Sequence, residues 1–142
     1  MRSLLLLVIP SMLFVVGCDR DRDRKAAASA GRAKWSAAGK MWVDQMVAMV
    51  PGEFCKPGSF FTTCFKQSGE DCRKLATTLM NGCLDKNPQV VPTEVNAQTG
   101  AAAGRDLGTC AGGELETELR RQGKFTNAEH CDDVAYWTRA AQ

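Results

Sequence analysis

The sequence has a single histidine, a single tyrosine and no Cys-x-x-Cys pair. Zinc sites generally use closely spaced cysteine pairs or several histidines, so this composition argues against a metal centre. The absence of a Cys-x-x-Cys pair also argues against thioredoxin-like redox chemistry. An excess of charge of one sign is also missing, because 18 basic and 16 acidic residues leave a net charge of only +2. We therefore expect no metal, no cofactor and no nucleic-acid partner.

Catalytic motifs are absent as well: the chain contains no Gly-x-Ser-x-Gly, no P-loop and no His-Glu-x-x-His sequence. The best catalytic candidate is His130, which stands among the acidic residues Glu129, Asp132 and Asp133. A histidine near carboxylates can act as a general base. Adjacent positions on a helix point apart, however, and the first turn of a helix disfavours a protonated histidine. The sequence thus predicts a non-catalytic protein, with an enzyme whose site lies near His130 as an alternative.

No apolar run is long enough to cross a bilayer as a helix, which takes about 20 residues. The longest extends from Leu4 to Val16, follows Arg2 and is interrupted by Pro10. A positively charged start followed by a short apolar stretch is typical of a cleavable signal peptide. We therefore predict a signal peptide over residues 1–17.

The signal peptide ends in the stretch Phe14-Val15-Val16-Gly17-Cys18. This stretch resembles the lipobox of bacterial prolipoproteins, with Val15 where that family prefers leucine. The resemblance implies cleavage before Cys18 and acylation of that cysteine, for example with palmitate. A lipoprotein would be anchored to the inner or outer membrane by its lipid and would face the periplasm. The alternative is an ordinary secreted protein with an incidental cysteine.

The segment after the lipobox has little that can be buried. Asp19 to Lys25 alternates acidic and basic residues, and residues 26–33 are mostly alanine. Such a composition stays solvated, so residues 18–33 are expected to form a flexible tether. Residues 34–142 then form a single cysteine-rich domain.

Six cysteines remain once Cys18 is assigned to the lipid, and an even set in an exported domain predicts three disulfides. A turn at Ser68 would place the surrounding cysteines as nested rungs of an antiparallel hairpin. The expected pairs are Cys55–Cys83, Cys64–Cys72 and Cys110–Cys131. A Cys72–Cys83 link is excluded if both residues share one helix, because they would lie about 16 Å apart.

The apolar periodicity of the domain is helical, and no strand-like alternation occurs. Pro51-Gly52 is expected to end the first helix, Ser59 and Ser68 to begin the next two, and Asn87-Pro88 to end the third. Residues 88–104 are expected to form a loop, Gly112-Gly113 to weaken the following helix, and Gly123 to end it. Thr126 and Glu129 predict a capping box for the last helix. The fold class is therefore all-α, a disulfide-stapled bundle of four to five helices.

These features predict a lipid-anchored, non-catalytic envelope protein that presents a helical surface to a protein partner. A secretion or assembly accessory factor and an immunity or exclusion factor both fit this description. A small-ligand or lipid carrier is a further alternative, because several aromatic residues could line an apolar cavity: Trp35, Trp42, Phe54, Phe60, Phe61 and Phe65. Such side chains more often form the core of a domain of this size.

Overall fold

The structure, a computed structural model, describes residue 26 and residues 29–140. Within that part of the chain, residues 29–32 are helical, and five further α-helices follow. These are α1 (Ala37–Phe54), α2 (Phe60–Thr63), α3 (Gly69–Lys86), α4 (Ala97–Arg121) and α5 (Val134–Ala140), with a 3-10 turn at Pro88–Val90. The predicted all-α bundle is confirmed. The predicted signal peptide, Cys18 and the charged part of the tether lie outside the described residues.

Serine residues begin the first three helices. The side chains of Ser36, Ser59 and Ser68 each accept a hydrogen bond from a backbone N–H three residues further on. Each bond satisfies one of the N–H groups that a helix leaves without a partner at its start. The starts predicted at Ser59 and Ser68 are therefore confirmed, as is the end of α3 before Asn87-Pro88.

The predicted end of α1 at Pro51-Gly52 is wrong, because α1 continues to Phe54. A proline inside a helix removes one backbone hydrogen bond. Here Pro51 lies in the last turn, where the N–H of Cys55 still bonds to its carbonyl at 3.2 Å. Pro51 is also buried, so its ring contributes to packing.

The loop predicted for residues 88–104 is too long, because α4 begins at Ala97. Asn96 and Thr99 form a reciprocal capping box there, which satisfies backbone donors at the start of the helix. The helix then runs through Gly112 and Gly113 without a break, to Arg121. Its glycines would lower the stability of an isolated helix, so packing must support it.

That packing comes from large side chains of α1, which lie over glycines of α4. A β-carbon at Gly104 would be 3.3 Å from Met46 Cε. A β-carbon at Gly100 would be 3.4 Å from Trp42 Nε1, and one at Gly112 would be 3.6 Å from Phe54 Cζ. The residue numbers of the contacting pairs increase in the same order in both helices, so α1 and α4 run parallel. The glycines let the two helices approach closely.

The core consists of two apolar clusters joined end to end. One lies between α1, α3 and α4 and includes the buried residues Trp42, Met80, Leu84, Leu107 and Ala111. The other, which we call the distal cluster, lies at the far end of α4 and includes Phe61, Phe65, Ala76, Leu115 and Leu119. No helix among the described residues combines the length and the apolar composition that crossing a membrane requires.

The capping box predicted at Thr126 and Glu129 is wrong, because α5 begins only at Val134. Gly123 does end α4, in a left-handed conformation with φ of 67°. The chain then turns back, and the N–H of Thr126 bonds to the carbonyl of Cys64 at 2.9 Å. A second bond joins the N–H of Lys66 to the carbonyl of Lys124 at 2.8 Å. This extended pairing competes with helix formation at residues 124–126.

Three disulfides join all six cysteines of the domain: Cys55–Cys72, Cys64–Cys131 and Cys83–Cys110. The predicted pairs Cys55–Cys83, Cys64–Cys72 and Cys110–Cys131 are therefore wrong. The hairpin argument failed because residues 64–66 pair with residues 124–126, which brings Cys64 to Cys131. The helix α3 is still fixed at two levels, to the end of α1 and to α4.

Candidate functional site

The chain preceding α1 packs against one end of the bundle. Arg32 Nε donates to Asp85 Oδ1 at 2.7 Å, and Trp35 Nε1 donates to the carbonyl of Pro88 at 2.9 Å. Ser36 Oγ donates to the carbonyl of Thr93 at 3.0 Å. Contacts with the domain thus begin before residue 34, where the sequence places its boundary. We call this the tether end; it contains the starts of α1 and α4 and the end of α3.

The opposite end, formed by α2, α5 and residues 124–133, is called the distal end. The tether end and the distal end are separated by the length of α1, about 27 Å at 1.5 Å per residue. At the distal end, aromatic rings pack against one another in edge-to-face and stacked contacts. They belong to Phe54, Phe60, Phe61, Phe65, Phe125 and Trp137.

Phe60 and Trp137 form a ridge on the surface of the distal end. Their ring centroids are 5.6 Å apart at an interplanar angle of 68°, and both side chains are half-buried. One groove beside the ridge has a volume of about 480 Å³ and also contacts Glu116, Arg120 and Thr138. The groove on the other side has a volume of about 330 Å³ and reaches Glu53, Lys56 and Ser59.

Charged groups at the rim of the larger groove are held in place. Arg120 Nε donates to Glu116 Oε1 at 2.8 Å, while its guanidinium carbon lies 3.8 Å from the centroid of the Phe125 ring. Glu118, two residues before Arg120 and outside the groove lining, accepts hydrogen bonds from Arg121 and Gln122, which lower its pKa from 4.5 to about 2. The surface therefore combines apolar area with a guanidinium oriented by two contacts.

His130 does not lie in the first turn of a helix, as the sequence predicts, but in a left-handed turn with φ of 66°. Its exposed ring stacks on Tyr136 with centroids 4.1 Å apart, and Nε2 is 3.3 Å from Glu129 Oε1. Its carbonyl accepts the indole N–H of Trp137 at 2.7 Å. The backbone of His130 thus positions the aromatic ridge.

Apart from Glu129, the acidic neighbours of His130 make no hydrogen bond to its ring. Asp133 accepts the N–H of Tyr136 at 2.9 Å and starts α5, and Asp132 is exposed beside the groove. Over the part of the chain that the structure describes, no group of histidine, cysteine, aspartate or glutamate residues has the arrangement of a metal site.

Three of the six aromatic residues considered as the lining of a carrier cavity are buried in the core. Phe61 and Phe65 are buried in the distal cluster and Trp42 in the other. The ridge itself was not predicted, since Phe60 and Trp137 are far apart in sequence and meet only through the fold. The only local signal for it is the aromatic content of both segments.

These features define a class of small, disulfide-stapled helical domains with an aromatic surface at one end. Residues 37–122 match the family described as T2SS substrate NttA. The match covers more than half of the chain, so the chain belongs to this family of type II secretion substrates. It includes α1 to α4, whereas Cys131 and α5 lie outside it. Neither a curated protein nor a solved structure matches the sequence.

Proposed function

We propose that this chain is an exported, non-catalytic protein of the bacterial envelope, anchored by lipid at Cys18, that binds a protein partner through its distal end. Its family describes substrates of secretion, which supports export. The same description favours a secreted or envelope-held cargo over an accessory component of the secretion machinery.

The observation that carries the proposal is the complete pairing of six cysteines into three disulfides. Stable disulfides form in oxidising compartments outside the cytoplasm, and small exported domains use them to supplement a limited core. The bridges connect α1, α2, α3, α4 and the segment before α5. A domain tied in this way presents a preorganised surface, which lowers the entropic cost of binding.

Lipid attachment at Cys18 is supported by the lipobox resemblance of residues 14–18. In that arrangement the anchor leads into the tether end through Arg32 and Trp35. The attachment point is then at the tether end, and the distal end stays free for a partner. A lipid with two or more chains would make this attachment stable, at about 0.8 kcal/mol per buried methylene.

Binding at the distal end is supported by the chemistry of its surface. Interface residues that dominate binding energy are enriched in tryptophan, tyrosine and arginine. Trp137, Tyr136 and Arg120 lie together there, beside grooves that an apolar side chain of a partner fits. The oriented guanidinium of Arg120 and the carboxylate of Asp132 provide polar contacts at the rim.

A second candidate is release from the cell after ordinary signal cleavage, which the description of the family as secretion substrates favours. Intact-mass analysis of the protein from membrane and culture-medium fractions separates the two. An acylated N-terminus beginning at Cys18 in the membrane fraction supports anchoring. An unmodified N-terminus in the medium contradicts anchoring and supports release. Cys18→Ser should move an anchored protein into the soluble fraction.

Site-specific photo-crosslinking in intact cells tests the binding surface. A photoreactive residue at Thr138, which lines the larger groove, should yield a discrete crosslinked protein. The matched control is Met41 on α1, which is 65% exposed and lies outside both grooves. Equal crosslinking from both positions, or none from Thr138, would contradict binding through the distal end.

A further inference from the structure

The three disulfides differ in their exposure to solvent. Four of the cysteines belong to the distal cluster and are at most 5% exposed: Cys55, Cys64, Cys72 and Cys131. In the remaining bridge, Cys83 is 1% exposed, whereas Cys110 is the one cysteine of the six that is only half-buried. The Cys83–Cys110 bridge is therefore the one that a reagent in solution reaches most directly.

A groove of about 300 Å³ leads to this bridge. Both cysteines line it, together with Asn87, Gln89, Val90, Asp106 and Leu107. Cys131 also borders grooves, at the distal end, but it is 5% exposed and its partner Cys64 is fully buried. Access to a sulfur atom controls the rate of thiol attack on a disulfide. The groove thus favours reaction at Cys83–Cys110.

Opening this bridge leaves the surrounding helices packed. Around it, α3 and α4 are held together by Met80, Leu84, Leu107 and Ala111, none more than 1% exposed. A second covalent link, Cys55–Cys72, still fixes the start of α3. Reduction at Cys83–Cys110 therefore does not require the domain to unfold.

We propose that the Cys83–Cys110 bridge is a thiol–disulfide exchange site for a dithiol protein. The partner's thiolate attacks Sγ of Cys110 from the groove, and the bond between the two cysteine sulfurs breaks. Cys83 leaves as a thiolate and takes a proton from water, while Cys110 stays in a mixed disulfide. The partner's second thiol, as its thiolate, then displaces Cys110, which is protonated in turn. The dithiol supplies both electrons and ends as a disulfide.

Asp106 makes the site selective among thiols. It lies one helical turn before Cys110 and lines the same groove. Its carboxylate repels an approaching thiolate, and it repels a thiol that carries further negative charge more strongly. Glutathione carries a net negative charge, so Asp106 should slow its attack more than it slows the attack of uncharged dithiothreitol.

Limited reduction of the full protein, recovered with its disulfides intact, tests the site. After a brief exposure to dilute dithiothreitol, free thiols are alkylated and mapped on peptides. Label should appear on Cys83 and Cys110 before any other cysteine, with no loss of helical circular dichroism. Label appearing first on Cys64 and Cys131, or on all cysteines together with loss of helicity, would overturn the assignment.

A thioredoxin-type protein with only its attacking cysteine retained tests the partner class. It should accumulate a mixed disulfide with Cys110. Reaction with dithiothreitol but not with this trap would show that only small thiols enter the groove, and the dithiol-protein assignment would fail. These measurements use the isolated protein and do not depend on the proposed export.

Charge variants test the route through the groove. Asp106→Asn should raise the rate with glutathione severalfold relative to the rate with dithiothreitol. Asp44→Asn removes the same charge from an exposed position of α1 outside the groove and should leave that ratio unchanged. An unchanged ratio in Asp106→Asn would show that attack does not pass this carboxylate.

Discussion

Gly39 of α1 lies so close to Val91 that a β-carbon at position 39 would be 3.0 Å from Val91 Cγ1. The carbonyl oxygen of Pro92 would be only 3.2 Å away. A backbone oxygen cannot move aside as the end of a side chain can. This contact holds the segment before α4 against the first helix, and it favours glycine at position 39.

Two glycine-to-alanine substitutions should therefore have opposite effects. Gly39→Ala should lower the free energy of unfolding by about 1–3 kcal/mol, because Val91 and Pro92 must shift. Gly82→Ala in α3 should raise it by about 0.5–1 kcal/mol, because no atom lies within 4 Å of the added methyl group and alanine favours the helix. Urea denaturation with intact disulfides measures both. Equal changes in the free energy of unfolding would contradict the close contact between Gly39 and Val91.

Removal of the Cys64–Cys131 bridge should release the C-terminal segment. The double variant Cys64→Ala/Cys131→Ala should lose about 2–5 kcal/mol of stability and expose residues 124–140 to limited proteolysis. The matched variant Cys83→Ala/Cys110→Ala keeps that segment linked and should resist cleavage there. Cleavage of both variants at the same rate would show that the bridge does not hold the segment.

The chain before α1 should contribute through Trp35 more than through Arg32. Trp35→Ala removes packing and the hydrogen bond to Pro88, so we expect a loss of about 1–3 kcal/mol. Arg32→Ala breaks an ion pair whose partners are both substantially exposed, so the change should stay below about 1 kcal/mol. Thermal unfolding of the two variants compares their losses of stability. A larger loss for Arg32→Ala than for Trp35→Ala would contradict the prediction.

Acid should weaken the end of α4 through Glu118. The pKa of Glu118 is lowered to about 2, so its ionised form is favoured in the folded protein. Its contribution is complete above pH about 4.5 and is lost as the pH falls toward 2. Glu118→Gln should flatten the pH dependence of stability in that window. The effect will be modest, since the Glu118 side chain is only half-buried and solvent screens its pair with Arg121. If Glu118→Gln loses stability at low pH as the unmodified protein does, the pair of Glu118 with Arg121 does not stabilise the fold.

Local features of the fold could be predicted from sequence, because they depend on neighbouring residues. Ser59 and Ser68 cap the N–H groups that follow them, and Gly123 adopts the left-handed conformation that ends α4. The helical class follows from apolar spacing in the same way.

Several of the predictions that failed concern features that depend on contacts between distant segments. The glycines of α4 resemble a loop until Trp42, Met46 and Phe54 of α1 are placed over them. The disulfide pairs depend on the return of residues 124–126 to Cys64, which no local pattern encodes. The ridge of Phe60 and Trp137 depends on the same return, and therefore could not be assigned either.

The Cys64–Cys131 bridge joins positions 67 residues apart, and Cys55–Cys72 overlaps its beginning. Tension applied between the two termini would pass from the first helix through these sulfur atoms to the last segment. It would bypass most of α3 and all of α4, which would bear no load. An oxidised molecule pulled at both termini should therefore keep α4 and most of α3 intact while the first helix and the C-terminal segment straighten.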